Sequence, residues 1–82
     1  MFTTYVLYSK TFDKIYIGYT ADLEKRLSAH NYKANKGWTA RFQPWELLHA
    51  EQFETKEEAI QREKQLKSSK GRRFIRTSLL GP

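Results

Sequence analysis

The sequence predicts an α+β fold, and three observations predict it. Two short runs rich in tyrosine and β-branched residues flank a polar gap. A third strand-like run follows at residues 45–53. Two separate segments carry helical spacing, one of them opened by a capping box.

The first run is Tyr5-Val6-Leu7-Tyr8, within a strand expected over residues 3–9. After the polar break from Ser9 to Lys14 comes Ile15-Tyr16-Ile17-Gly18-Tyr19, within a strand over 14–20. Two such runs across a turn-like gap form a β-hairpin. Both are apolar at most positions, so at least one strand is central and covered on both faces. Gly18 inside the second run implies a close backbone approach or a bulge. Tyr5 and Tyr16 stand where a plain core would use Val or Ile; alone they read as core strand residues, with a functional role as the alternative.

Residues 22–32 read as a helix, with Thr20 or Asp22 as its N-cap. Leu23 and Leu27 form its apolar stripe. Arg26 and His30, also four residues apart, share a face bordering that stripe; alone they would be an ordinary solvated helix face. Residues 31–44 are irregular, because Asn31, Asn35, Gly37 and Pro44 all break regular structure. Trp38 and Phe42 stand there among Lys33, Lys36 and Arg41. Aromatics mixed with cations can stack on bases and pair with phosphates, or they can pin a loop to the core. Residues 45–53 are the third strand. Thr55-Lys56-Glu57-Glu58 is a capping box, starting a helix that runs to about Ser68. Ser69-Lys70-Gly71 then interrupts, and a last short helix carries Phe74, Ile75 and Leu79.

A chain of 82 residues without cysteine is expected to be one domain, 1–82, with a core near the lower limit for unaided folding. No apolar run approaches the roughly 18 residues of a membrane span. No basic leader precedes an apolar stretch. A cytoplasmic monomer with no membrane association and no small-molecule cofactor is therefore expected. The net charge is +6, and all of it lies beyond residue 58: Arg62, Lys64, Lys67, Lys70, Arg72, Arg73 and Arg76 against the single acid Glu63. Such a balance favours a polyanionic partner, unless it is simply a solvated helix face.

Glu63 is anomalous. With Ala59 at zero on a helical wheel of about 100° per residue, Leu66 falls near 340° and Glu63 near 40°, inside the apolar stripe. A buried carboxylate without a partner costs several kcal/mol or takes up a proton. The alternatives are a salt bridge, for instance to Arg26, or a functional site.

Taken together, Tyr5-Val6-Leu7, Tyr16-Ile17-Gly18, Arg26, His30 and Glu63 resemble the GIY-YIG nuclease family, in particular its small single-domain bacterial members. Tyr16-Ile17-Gly18 matches the second half of the name literally, and Tyr5-Val6-Leu7 stands degenerate in place of the first. Pro44-Trp45-Glu46-Leu47 and the stretch from Glu58 to Leu66 share the likeness. The resemblance implies a small antiparallel three-stranded sheet flanked by helices, and divalent-metal-dependent hydrolysis of DNA phosphodiester bonds. It implies Glu63 as ligand for Mg²⁺ (or Mn²⁺), Tyr16 as the base toward water, and Arg26 as stabiliser of phosphoryl charge. His30 would hydrogen-bond the site or donate a proton, with a second reading as the base, and Tyr5 would position water or phosphate. The chain departs from the family at two points: no asparagine follows Asn35, and Tyr19 stands where some members have lysine.

The expected function is a DNA endonuclease acting on branched, damaged or flap-like structures in repair or recombination, since the chain has little room for a sequence-reading domain. DNA contacts are expected from Lys36, Trp38, Arg41, Lys67, Lys70, Arg72, Arg73 and Arg76. The alternative is a nucleic-acid-binding module of the same fold without catalysis.

Overall fold

The computed structural model describes residues 1–33 and 36–81. The hairpin is β1 (Phe2–Ser9) and β2 (Lys14–Thr20), followed by α1 (Leu23–Asn31). A 3-10 turn (Trp38–Phe42) leads into β3 (Glu46–Phe53). Then come α2 (Lys56–Lys67), α3 (Ser69–Phe74) and a π-helical turn (Ile75–Leu79). The strands form one antiparallel sheet in the order β2-β1-β3, so the α+β class and its three-stranded sheet are as expected. Asn35, one of the expected breakers, lies outside the described residues. Among the described residues, no helix is long and apolar enough to cross a membrane.

The central strand explains the layering. Successive side chains of a strand point to opposite faces, and β1 is apolar on both. Tyr5 and Leu7 pack with Trp45, Tyr16, Leu23, Leu27 and Phe42, beneath α1 and the 3-10 turn. Val6 and Ile17 pack with Leu66, Ile75, Ile15, Leu48, Leu79 and Leu80, beneath α2 and the segments after it. Two separate cores thus lie on the two faces of one sheet. On the β3 side the pairing steps from Val6↔His49 to Leu7↔Leu47. That bulge leaves Leu48 as the extra residue and turns it into the second core.

Both long helices start as their sequences require. Asp22, rather than Thr20, caps α1: its Oδ1 accepts the Lys25 N–H at 3.1 Å. Thr20 Oγ1 instead accepts the Asp22 N–H. The Thr55 capping box is complete, with Thr55 Oγ1 accepting from the Glu58 N–H and Glu58 Oε1 from the Thr55 N–H, both at 3.2 Å.

The C-terminal break falls elsewhere than expected. Ser69-Lys70-Gly71 do not interrupt helix; they form the first turn of α3. The chain turns at Ser68, whose hydroxyl donates to the Gln65 carbonyl at 2.6 Å and accepts the Gly71 N–H at 3.2 Å. Gly71 serves close packing. A Cβ there would lie within about 2.5 Å of the Gln65 carbonyl oxygen and the Leu66 Cα, backbone atoms that cannot swing aside. Gly71→Ala should therefore lower the stability of the fold by about 1–3 kcal/mol through overpacking. Urea unfolding measures this, and an unchanged midpoint would mean that α3 does not sit so close on α2.

Candidate functional site

Thr4 and Tyr5, neighbours on β1, reach opposite faces of the sheet. The buried Thr4 hydroxyl donates to the Ala59 carbonyl at 2.8 Å, one helical turn before Glu63. Tyr5 points to the α1 face, where its Oη shares a hydrogen bond with His30 Nε2 at 3.1 Å. The central strand therefore sets the height of both helices that carry candidate site residues.

A cavity of about 260 Å³ lies along the β2 side of the sheet, lined by Tyr5, Tyr16, Gly18, Tyr19, Thr20, Arg26 and Glu63. By strand alternation, Tyr16, Gly18 and Thr20 come from one face of β2 and Tyr19 from the other. The lining thus wraps an edge strand, with Arg26 arriving from α1 and Glu63 from α2. Larger cavities of about 600 Å³ lie beside the N-terminus of α1 and in the groove between α2 and α3. Neither gathers a carboxylate, an arginine and phenols together. At about 260 Å³ this one is smaller than a typical small-molecule pocket of roughly 300–1,000 Å³, a size suited to a phosphate group.

Gly18 makes the cavity possible. It pairs with Tyr5 across the hairpin, and a Cβ on it would lie 2.7 Å from Tyr5 Oη and 3.1 Å from Tyr16 Cε1. The close approach anticipated for this glycine is thus to the two tyrosines.

Four of the five expected site residues line the cavity; His30 does not. Arg26 and His30 share a helix face in the sequence, yet Arg26 is exposed and His30 is 7% exposed. The reason is what covers the last turn of α1. Gln43 Nε2 donates to the His30 and Tyr32 carbonyls at 2.9 and 2.7 Å. The Asn31 side chain donates to the Trp45 carbonyl and accepts its N–H at 2.9 and 2.6 Å. Trp45 Nε1–H donates to the Thr39 carbonyl at 2.7 Å, which folds the 3-10 turn over His30. The His30 ring sits against Tyr16 and Tyr5, with centroids 4.6 and 6.1 Å away. Its Nδ1 shares a hydrogen bond with Thr39 Oγ1 at 3.0 Å. Thr39 is thus a site neighbour that nothing in the sequence singles out, because it stands in a stretch without periodicity.

The hydrogen-bonded row Tyr5–His30–Thr39 has two consistent proton arrangements. Either Tyr5 donates to Nε2 and Nδ1–H donates to Thr39, or Thr39 donates to Nδ1 and Nε2–H donates to Tyr5. In the second, the Tyr5 proton is free to point into the cavity. Burial first, and the adjacent Tyr16 second, push the Tyr5 phenol well above its ordinary value of 10.0; Arg26 opposes this and Glu63 adds to it. Tyr5 therefore stays protonated at neutral pH and acts as a hydrogen-bonding group rather than a base.

Glu63 sits at the cavity with its side chain 17% exposed. Its partner is not Arg26 but Lys67, four residues on, at 3.6 Å. Among the described residues, no group of three or more His, Cys, Asp or Glu could hold a metal ion. The donor set for an ion at the cavity is therefore one hard carboxylate. That fits a Mg²⁺-type ion, which keeps several waters and takes one or two carboxylates plus substrate phosphate.

The expected DNA-contacting residues are scattered. Trp38 is half exposed and packs on Phe42 at 4.8 Å and Trp45 at 5.9 Å. The Arg41 guanidinium lies 5.9 Å from the Phe42 ring. Lys36, Lys70 and Arg73 are exposed. Arg72 Nε donates to the Lys67 carbonyl at 3.2 Å. Arg76 is engaged elsewhere. It pairs with Asp13 in the hairpin turn at 2.6 Å, and this pair helps hold the Asp13 carboxyl below its usual range.

These features define a small α+β domain with a phosphate-sized, mixed-charge cavity on its hairpin. Residues 1–76 match the model of the GIY-YIG catalytic domain, and the chain belongs to the GIY-YIG family, a nuclease family. It is 46% identical over 66 residues to a UPF0213 protein of Bacillus velezensis, covering 77% of this chain and 67% of that one. A UPF0213 protein of Natronomonas pharaonis is 39% identical over 56 residues, covering 68% of this chain and 66% of that one. The matches thus span about two thirds of those relatives' lengths. The solution NMR structure of a UPF0213 protein from Bacillus halodurans superposes with a TM-score of 0.55 at 28% identity, covering 96% of this chain and 87% of that one. The name UPF0213 specifies no reaction.

His30 gives the site a pH signature. Burial, with the Arg26 charge adding, holds its imidazole below the ordinary 6.5. The unfolded chain therefore takes up the proton first as pH falls, and the fold loses stability from about pH 6.5 downward through the folded-state value. The lowered carboxyls of Glu51 and Asp13 act in the same direction but below their ordinary 4.5 and 3.8. Thermal melts between pH 7 and 5 should show a falling Tm in the parent chain and a flatter profile in His30→Gln. A flat parent profile would mean that His30 is not held neutral.

Proposed function

We propose that this chain is a divalent-metal-dependent endonuclease that hydrolyses DNA phosphodiester bonds at branched, damaged or flap-like structures in repair or recombination. The observation that carries the proposal is the meeting of Tyr16, Arg26 and Glu63 on one phosphate-sized cavity. Membership of a nuclease family supports it.

The role of each residue follows from its chemistry. Arg26 enters from the exposed face of α1 and neutralises charge that builds on the phosphoryl oxygens. Tyr16, as its phenolate, accepts the proton of the attacking water and becomes the phenol. Tyr5, held protonated, donates a hydrogen bond to phosphate or water. His30 acts through Tyr5, orienting its hydroxyl from behind, and Thr39 fixes the imidazole in turn. This makes His30 a positioning residue instead of the proton donor or base. Glu63 is the residue that would hold Mg²⁺ or Mn²⁺, whose bound charge supplies Lewis-acid stabilisation of the phosphoryl group. Lys67, paired with Glu63, stands ready to meet the substrate phosphate. Lys36, Arg41, Lys70, Arg72 and Arg73 give the backbone further positive charge, whereas Arg76 stays with Asp13.

The test is cleavage of a panel of branched, nicked and flapped DNAs with Mg²⁺ or Mn²⁺. Arg26→Ala should lose about 10²–10³-fold in rate, the scale of removing one charge-stabilising group. Glu63→Ala should lose activity and its response to added metal. If both variants cut as well as the parent chain, the site assignment is wrong.

A further inference from the structure

An aromatic row leads out of the cavity. Its first member is Tyr16, in the cavity wall; Trp38 follows at 6.5 Å, Phe42 at 4.8 Å from Trp38, and Phe12 of the hairpin turn at 5.5 Å from Phe42. Lys14 Nζ lies 5.5 Å from the Phe42 ring centroid, and Arg41 flanks the same ring at 5.9 Å. Tyr16 and Phe42 of this row pack into the core and help fix the 3-10 turn. Trp45 does the same, at 2% exposure and with its Nε1–H bonded to Thr39. Trp38 and Phe12 are left 49% and 46% exposed. Large apolar rings left in water beside cations, in a row that starts at the wall of a phosphate-sized cavity, call for a ligand with flat faces and negative charge.

We infer that this row is a stacking ledge for single-stranded DNA, holding unpaired bases next to the phosphate in the cavity. The inference rests on the nuclease reading for where the phosphate sits, and it names the substrate class: DNA with unpaired nucleotides at the cut. In a duplex the base faces are covered by their neighbours, so the rings of Trp38 and Phe12 have nothing to stack on. An unpaired base offers its face to any aromatic ring, whatever its sequence. Lys14 and Arg41, beside the Phe42 ring, supply charge for the strand's phosphates.

Binding separates the ledge from the chemistry. Fluorescence anisotropy with labelled oligo(dT) and with a hairpin duplex of equal charge is measured on Glu63→Ala protein in EDTA, where no cutting intervenes. Trp38→Ala should weaken oligo(dT) binding about tenfold or more, the loss of roughly one stacked base, and duplex binding less than about twofold. Phe12→Ala, in a different segment, should lose in the same direction with an unchanged Tm, which covers the case of a Trp38 variant that folds poorly. The salt slope should not change, since no phosphate contact is removed. Equal losses for both DNAs, or none from either variant, would overturn the ledge. Selective oligo(dT) binding in a chain that cuts no DNA leaves the ledge standing and removes the nuclease reading. Efficient cutting with ring-insensitive binding does the reverse.

Discussion

The structure depends on two consecutive hydroxyls of the central strand. Thr4 and Tyr5 are both buried, and strand alternation sends them to opposite faces. Each must find a partner, because an unpaired buried polar group costs about 1–3 kcal/mol. Thr4 finds the Ala59 carbonyl on α2 and Tyr5 finds His30 on α1. The two helices are thereby levelled against a single point of β1. The cavity between Arg26 and Glu63 is a consequence of that levelling, and so is the need for Gly18 opposite Tyr5.

The two tyrosines sit in different surroundings. Tyr5 is 2% exposed and pairs with a neutral imidazole, so its proton stays on. Tyr16 is less buried, with Arg26 and Glu63 in the same cavity wall. His30 touches both rings, and its own charge is suppressed by burial and by Arg26. The imidazole is therefore a neutral neighbour of both phenols and adds no second cation beside the arginine.

Much of this was legible in the sequence wherever a local rule and the tertiary structure agree. The strand 14–20 and the Thr55 box follow from periodicity and capping; at the start of α1 and at Gly18 the sequence leaves two readings each, and the folded chain uses the Asp22 cap and the close approach. Glu63 stood out because a carboxylate on an apolar stripe conflicts with burial, and it lines the cavity. What local rules missed was set by distant contacts. The 3-10 turn is held where Trp45 reaches back to Thr39, and that contact, with Gln43 and Asn31 over the last turn of α1, buries His30 while leaving Arg26 exposed. Gly71 reads as a breaker by propensity, yet it lies in the first turn of a helix packed too tightly there for any side chain. Arg76 looks like part of a polyanion-binding tail until Asp13, 63 residues away, is found beside it.

The separation of the core into two clusters that meet only through one sheet has a consequence for how this site can change. Arg26 rides on the packing of Leu23, Leu27 and Trp45, and Glu63 on that of Ala59, Leu66 and Ile75. Trimming a methyl group from one layer shifts one jaw of the cavity while the other keeps its place. The gap between guanidinium and carboxylate is therefore an adjustable dimension with two independent screws. On the α2 side the packing residues Ala59, Leu66 and Ile75 are all distinct from the cavity wall, whereas on the α1 side Tyr5 and Tyr16 belong to both.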